Sequence, residues 1–293
     1  MTAIAAIGEA MIELSTSNGQ AQVGVAGDTL NTAIYLKRAA PDLVVDYVTC
    51  LGDDPFSDQI EDFIAGHHIG TQTINRLPDM SPGLYAITTT DDGERSFTYW
   101  RSASAARRMF QTDDGYNFDA LASYDVLYLS GITLAILPSD ARGGLLDWLN
   151  RSSIRLAYDS NYRPRLWEDL QTAQRVTSAF WDRADICLPS IDDEMALFGE
   201  SAQAVEARFV ALGRTGALKR GATGPVSLGS TVAANYAPAP RVVDTTAAGD
   251  SFNGGYLGCL LSGGTQSDAL IAGHNCAAHV VQYAGAIVPE ADK

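Results

Sequence analysis

The sequence predicts an α/β fold, a mostly parallel central sheet flanked by helices with one small antiparallel β appendage, and three observations predict it. Short apolar runs alternate with longer stretches of helical period. One segment breaks that alternation with two β-rich runs joined by a turn. No period of roughly 20 to 50 residues repeats, and no low-complexity linker divides the chain, so it reads as a single domain, 1–293.

The strand-like runs are AIAAIG (3–8), VDYVTCLG (45–52), DVLYLSGI (125–132), IRLAYDS (154–160) and ADICLPS (184–190). Between them AGDTLNTAIYLKRAA, DPFSDQIEDFIAG, SDARGGLLDWLNRSS and LQTAQRVTSAFWDRA carry the helical period. Strands and helices in alternation form a parallel sheet covered on both faces, and the ligands of such sheets lie at the carboxyl ends of the strands.

The exception is GLYAITTTDDGERSFTYWRS (83–102), a hairpin turning at Asp-Asp-Gly with Gly93 in the left-handed position. A loop of the three residues 91–93 sets Tyr85 opposite Tyr99 and puts Tyr99 and Arg101 on one face. That face suits a polar ligand, and equally an ordinary row of solvated cross-strand pairs. Segments near 9–25 and 80–108 are expected to form a lid on the body.

With 46% hydrophobic residues the chain can bury a substantial core. Its 35 acidic and 20 basic residues give a net charge of -15, which argues against nucleic acid and anionic membranes as partners. Lysine occurs only as Lys37, Lys219 and Lys293, so a lysine within a motif stands out. Cys50, Cys187, Cys259 and Cys276 form neither a zinc-ligand spacing nor a disulfide framework and read as free thiols. The first residues carry acids rather than a basic leader, and no apolar run reaches the ~18 residues of a membrane span. The expectation is a cytoplasmic protein.

DTTAAGDSFNGG (244–255) is the most chemical stretch. Phe252, Tyr256, Cys259 and Leu260 follow helical spacing, so a helix begins near Ala248 or Gly249 with Ala-Ala-Gly at its positive end. The small residues Ala247, Ala248 and Gly249 leave three successive backbone N–H groups uncovered for an anion. Asp250 sits at the edge of that nest. A carboxylate there can be a helix-dipole partner, or it can take the proton of a hydroxyl aligned against a phosphoryl group. A helix N-terminus lowers a carboxylate below its usual pKa of about 3.9, so the expected role is orientation and late proton uptake. The phosphate loops G-x-x-x-x-G-K-[ST] and G-x-G-x-x-G are absent, as are the protein-kinase motifs.

DTTAAGDSFNGG resembles the C-terminal signature D-T-x-G-A-G-D-x-F of the ribokinase (PfkB) carbohydrate kinases, with Ala247 in place of the first glycine. GEAMIEL (8–14), AGDTLNTAIYLKR (26–38), GERSFTYWR (93–101), YLSGITLAIL (128–137), DSNYRPRLW (159–167) and GAIVP (285–289) extend the resemblance over nearly the whole chain. Together with Ala247 they are similar to the branch that phosphorylates 2-keto-3-deoxygluconate.

The resemblance implies a ribokinase-like fold and a phosphotransferase with an alcohol acceptor, making the 6-phospho sugar acid from a sugar acid and ATP. Asp250 corresponds to the catalytic base, and Ala247, Ala248 and Gly249 to the anion hole. Gly27, Asp28 and Asn31 correspond to the sugar site, where Ala26 replaces the first glycine of a usual pair. Tyr85, Tyr99, Arg101 and Arg163 correspond to the residues holding a sugar acid, whose carboxylate suits arginine. The two arginines are expected to converge on it. The nucleotide side is carried by Asn161 and Arg163, by Lys219, Gly221 and Gly224 of KRGATG, by Gly249 and by Asn275. Taken alone, KRGATG is an ordinary two-glycine hairpin.

Mg2+ is expected to accompany ATP. Relatives carry N-x-x-E where this chain has Ser190 and Asp193, which makes Asp193 the candidate contact through water. Asp244 and Thr246 match a K+ site of some relatives, and otherwise fix the turn. The alternatives are a kinase of a neutral sugar such as fructose or ribose, and a catalytically silent sugar-acid sensor. An exposed lid sheet also suits pairing with a second copy, a homo-oligomer.

Overall fold

The computed structural model describes residues 2–17, 20–89 and 95–289. Its strands in chain order are β1 (Ala3–Ile7), β2 (Met11–Ser17), β3 (Gln20–Ala26), β4 (Val44–Leu51), β5 (Ile74–Arg76), β6 (Gly83–Thr89), β7 (Arg95–Trp100), β8 (Gln111–Thr112), β9 (Gly115–Tyr116), β10 (Val126–Ser130), β11 (Arg155–Asp159), β12 (Ile186–Leu188), β13 (Thr215–Leu218) and β14 (Val226–Leu228). The helices are α1 (Asp28–Ala39), α2 (Pro55–Gly66), α3 (Gly131–Ile136), α4 (Ser139–Arg151), α5 (Leu170–Arg183), α6 (Ile191–Phe198), α7 (Ala202–Leu212), α8 (Ala248–Leu261) and α9 (Gln266–Val280). All five strand-like runs of the sequence are strands, and the four helical stretches are α1, α2, α4 and α5.

The larger sheet has the order β14-β13-β12-β11-β10-β1-β4-β5, parallel throughout except for the β13–β14 hairpin. Alternation along the strands buries both faces. Ile7, Leu129 and Tyr158 pack with Leu134, Leu145 and Phe180 on one side. Ile4, Tyr128 and Ala157 pack with Leu30, Ile34, Tyr256 and Leu257 on the other. The strand order reverses where β10 returns beside β1, which places a crevice outside the carboxyl ends of these two strands.

The second sheet, β3-β2-β6-β7, is built from the two segments the sequence set apart. Its β2–β3 and β6–β7 pairs are antiparallel and its β2–β6 pair is parallel. Tyr85 faces Tyr99 in the expected register. The Gly93 turn lies outside the described residues. Ala26 ends β3 with its methyl packed on Met11 and Tyr85. A short β8–β9 ribbon, which carries too few residues to show a period, follows β7.

Small residues decide how closely α8 approaches its neighbours. A Cβ on Gly254 would lie 2.5 Å from Tyr35 Cβ of α1, and one on Gly255 would lie 2.8 Å from the Ala272 carbonyl of α9. The Gly-Gly pair of DSFNGG therefore lets α8 sit against both helices with its first turn in the crevice.

Candidate active site

Asp250 occupies the first turn of α8, which starts at Ala248 as its period requires. Asn31 of α1 donates its Nδ2 to Asp250 Oδ2 at 2.9 Å, and Thr32 Oγ1 donates to the Asp250 carbonyl at 3.2 Å. The carboxyl is pushed up to about 8 by burial first and then by the negative charges of Asp28 and Asp159, against the pull of Asn31 and Lys219. This reverses the expectation that the helix N-terminus holds it low: the loss of water and two like charges, from the start of α1 and the end of β11, outweigh the dipole.

Ala247 caps α8 in the left-handed conformation, φ 58. It is the position where the wider family signature has glycine, and an Ala there costs about 1–2 kcal/mol of backbone strain. The turn from this residue into the helix aims amides outward. Ala248 N–H donates to the Thr245 carbonyl at 3.2 Å, which corrects the expected run of three uncovered donors. Ala247 and Gly249 donate to no backbone carbonyl among the described residues.

Lys219, one residue past β13, reaches this turn. A Cβ on Gly249 would lie 3.8 Å from Lys219 Nζ. The ammonium donates to Asp159 Oδ1 at 2.7 Å and to Asn253 Oδ1 at 3.0 Å. Asn253 in turn donates to Asp159 Oδ2 at 2.9 Å and to Tyr128 OH at 3.1 Å, with Tyr128 OH 3.0 Å from Thr32 Oγ1. A continuous polar network thus runs beneath Asp250 from α1 to the end of β13.

Asp28 opens α1 behind Gly27 and accepts from Asn161 Nδ2 at 2.7 Å and from Ser130 Oγ. Burial raises its carboxyl above the usual range. Asn161 holds a left-handed backbone, φ 28, while making this contact. Strain of this kind is characteristic of residues fixed by a site.

On the small sheet the Tyr85 hydroxyl donates to Glu13, and its ring stacks on Tyr99 at 5.6 Å between centroids. Tyr99 is half exposed, whereas Arg101 is buried against Glu9, whose carboxylate it pairs with through Nη2. Arg163 instead pairs with Asp193 at 3.3 Å and donates to the Tyr162 carbonyl at 2.8 Å, its side chain half exposed. The two arginines expected to converge each have a carboxylate of their own.

Gly221 and Gly224 have φ 55 and φ 79 in the turn after Lys219, joining β13 to β14 as the ordinary hairpin reading holds. Asn275 is exposed on α9, and no hydrogen bond of the network reaches it. Asp193 is raised by burial and accepts from Ser160 Oγ at 3.4 Å as well as from Arg163. Asp244 Oδ1 accepts from the Thr246 amide at 3.0 Å and its hydroxyl at 2.7 Å, and Oδ2 from the Gly285 amide at 2.8 Å. Those bonds are what a turn anchor makes. Among the described residues no group of three or more His, Cys, Asp or Glu side chains is placed to hold a metal ion.

Sequence reasoning missed Glu9, Glu13, Ser130, Asp159 and Asn253. Two of them carried a usable signal: Ser130 and Asp159 are the last residues of parallel strands β10 and β11, where ligands of such sheets lie. Asn253 lies within DTTAAGDSFNGG, between Phe252 and Gly254, and its spacing alone did not show that its side chain joins the network of Lys219, Asp159 and Tyr128.

The profile of the pfkB family carbohydrate kinases matches residues 1–293. The chain is 42% identical over 301 aligned residues to the 2-dehydro-3-deoxygluconokinase of Escherichia coli (strain K12), covering 98% of this chain and 97% of that one. Its fold is similar to that of a PfkB protein from Polaromonas sp. JS666, with a TM-score of 0.82 at 25% identity, covering 97% of this chain and 96% of the other. It is also similar, with a TM-score of 0.79 at 23% identity, to aminoimidazole riboside kinase from Salmonella enterica in complex with aminoimidazole riboside and an ATP analogue, covering 97% and 95% of the two chains. Among the described residues no helix is long and apolar enough to cross a membrane.

Proposed function

The chain belongs to the pfkB family of carbohydrate kinases, and from that premise we propose that it transfers the γ-phosphoryl group of ATP to the terminal C6 hydroxyl of 2-keto-3-deoxy-D-gluconate. The observation that carries the phosphotransfer reading is the Asp250 carboxyl, held by Asn31 at 2.9 Å beside the amino end of α8 and the Lys219 ammonium. The full-length identity to a 2-dehydro-3-deoxygluconokinase supports the sugar acid as acceptor.

In the reaction the sugar hydroxyl oxygen forms a bond to the γ-phosphorus, the bond from that phosphorus to the bridging oxygen breaks, and ADP leaves with the electron pair. Asp250 takes the hydroxyl proton. A base pushed up to about 8 is far better matched to an alcohol than an ordinary carboxylate. The amides of Ala247 and Gly249 and the ammonium of Lys219 stabilise charge on the transferring group without rearranging. Asp28 and Asn31 orient the sugar hydroxyls. Asn161, which the resemblance set on the nucleotide side, donates to Asp28 at 2.7 Å. Tyr85 and Tyr99 lie on the small sheet and Arg101 directly after it, and that sheet would close over the sugar and exclude water.

Magnesium, if carried in with ATP, would neutralise charge on the phosphate oxygens. The residue that fits it is Asp193, a hard carboxylate donor kept partly accessible at the end of the crevice. Asp244 and Thr246 are the residues that would hold a monovalent cation such as K+, and the Asp244 carboxylate also fixes the turn.

Turnover of the keto-deoxy sugar acid, fructose and ribose side by side tests the assignment, with a coupled ADP readout. The sugar acid is expected to have the highest kcat/KM, and better use of fructose or ribose would replace it with a neutral-sugar kinase. ATP-dependent phosphorylation of none of the three would leave the sensor reading.

A further inference from the structure

The chain passes between the two sheets four times, and the four passages meet at one residue, Glu9. Glu9 lies on the way from β1 to β2, and Gly27 on the way from β3 into α1. Gly83 opens β6, and Arg101 follows β7. A Cβ on Gly27 would lie 2.3 Å from the Glu9 carbonyl oxygen. A Cβ on Gly83 would lie 2.7 Å from Glu9 Oε1 and 3.1 Å from Arg101 Cβ. Glycine at 83 thus leaves the space in which the Glu9 and Arg101 side chains meet, and glycine at 27 lets the main chain pass close to Glu9. The Glu9 side chain is 0% exposed and that of Arg101 9%.

A guanidinium has five donors in a planar fork. Arg101 turns Nη2 to Glu9 as an ion pair, and neither Nη2 nor the buried Nε has a hydrogen-bond acceptor among the described residues. A buried donor without an acceptor is costly and readily takes one that a ligand brings. The same guanidinium acts electrostatically on Asp28, which opens the sugar side of the crevice. An unrestrained arginine at this place would be drawn to Asp28, and its charge would then be spent on the wrong carboxylate.

We propose that Glu9 is the positioning residue that fixes Arg101 at the junction of the two sheets, so that the remaining donors of its fork meet the carboxylate of the sugar acid. The inference rests on the sugar-acid reading of the site. Glu9 supplies the counter-charge that keeps a buried guanidinium tolerable in the absence of substrate. It also directs the fork, which a lysine or a free arginine would not achieve. Because the same pair joins the strand crossings, the position of the small sheet and the grip on the substrate carboxylate depend on one contact.

The test uses full-length Glu9→Gln, Glu9→Asp and Arg101→Ala, with KM for the sugar acid, KM for ATP, ATP hydrolysis without sugar, and thermal melting. Glu9→Gln is expected to raise KM for the sugar acid by about tenfold or more, through the loss of one buried ion pair, with KM for ATP and sugar-free hydrolysis within about twofold of the parent. Glu9→Asp keeps the charge and withdraws it by one methylene, so a smaller rise confined to the sugar acid is expected there even if Glu9→Gln folds poorly. An unchanged sugar-acid KM in both Glu9 variants, with Arg101→Ala raising it, overturns the positioning role alone. An unchanged KM in Arg101→Ala overturns the sugar-acid reading itself. Equal rises for sugar acid and ATP in Glu9→Asp reduce Glu9 to a structural residue and overturn the proposal.

Discussion

Asn31 donates to Asp250 across 219 positions of sequence, at 2.9 Å, joining the first turns of α1 and α8. The bond favours the ionised carboxylate that burial, Asp28 and Asp159 disfavour. Asn31→Ala should therefore push Asp250 higher still and move the acidic limb of the kcat/KM profile to higher pH. A limb left in place would remove Asn31 from control of the base.

Asp250 itself should set that limb. With the carboxyl pushed up to about 8, kcat/KM is expected to fall about tenfold per pH unit below pH 8. Asp250→Asn should lower kcat by about 10²–10⁴. The same substitution should stabilise the protein at neutral pH. The unfolded aspartate releases its proton near 3.9 while the folded one keeps it to about 8, so the contribution of Asp250 is fully present below about pH 4 and lost as pH rises through 8. Melting curves of the two proteins should coincide near pH 4 and separate with Asp250→Asn the more stable by pH 8.

Lys219 pairs with Asp159 where both are nearly buried, their side chains 11% and 4% exposed. Lys219→Met removes a phosphate-side cation and leaves Asp159 uncompensated, so a loss of about 3 kcal/mol of stability is expected. kcat/KM for ATP should drop about a hundredfold. Adding Asp159→Asn should recover stability without recovering ATP use, and recovery of both would deny Lys219 any part in phosphoryl transfer.

Ala247 holds φ 58 without the freedom of glycine. Ala247→Gly should stabilise the fold by about 1 kcal/mol, a rise in Tm of about 2 °C for a chain of this size. Differential scanning calorimetry checks it. A lower Tm would mean that the alanine methyl has packing value exceeding its strain.

Gly254 is the contact on which α8 meets α1. Gly254→Ala would set a methyl 2.5 Å from Tyr35 Cβ and 2.8 Å from the Thr32 carbonyl, and the helices must separate at a cost of about 1–3 kcal/mol. Activity should fall more than stability suggests, because the separation acts on the Asn31–Asp250 bond. Unchanged kcat in a destabilised variant would show that the approach serves packing alone.

The sequence by itself determined what depends on near neighbours. Period identified five strands and four helices, and the spacing of Phe252, Tyr256, Cys259 and Leu260 placed the start of α8 near Ala248 or Gly249; the helix begins at Ala248. The Tyr85–Tyr99 register followed from strand alternation and the length of one loop. Family signatures put Asp250, Asp28, Asn31 and Lys219 on the list of site residues, and the fold brings those four into one crevice.

Only the tertiary structure decided how these groups act on one another. Helix-terminus reasoning alone gave Asp250 a low pKa; Asp28 and Asp159, brought in from α1 and the end of β11, turned it upward. Likewise the family resemblance gave Arg101 a ligand, and strand alternation left it open between a ligand and a solvated face, while its buried partner Glu9 stands at the other end of the small sheet's path through sequence. Backbone preferences decay within a turn or two of chain, so they are written locally. Coulomb energy and desolvation depend on distance through the folded interior, and no spacing in the sequence records that distance.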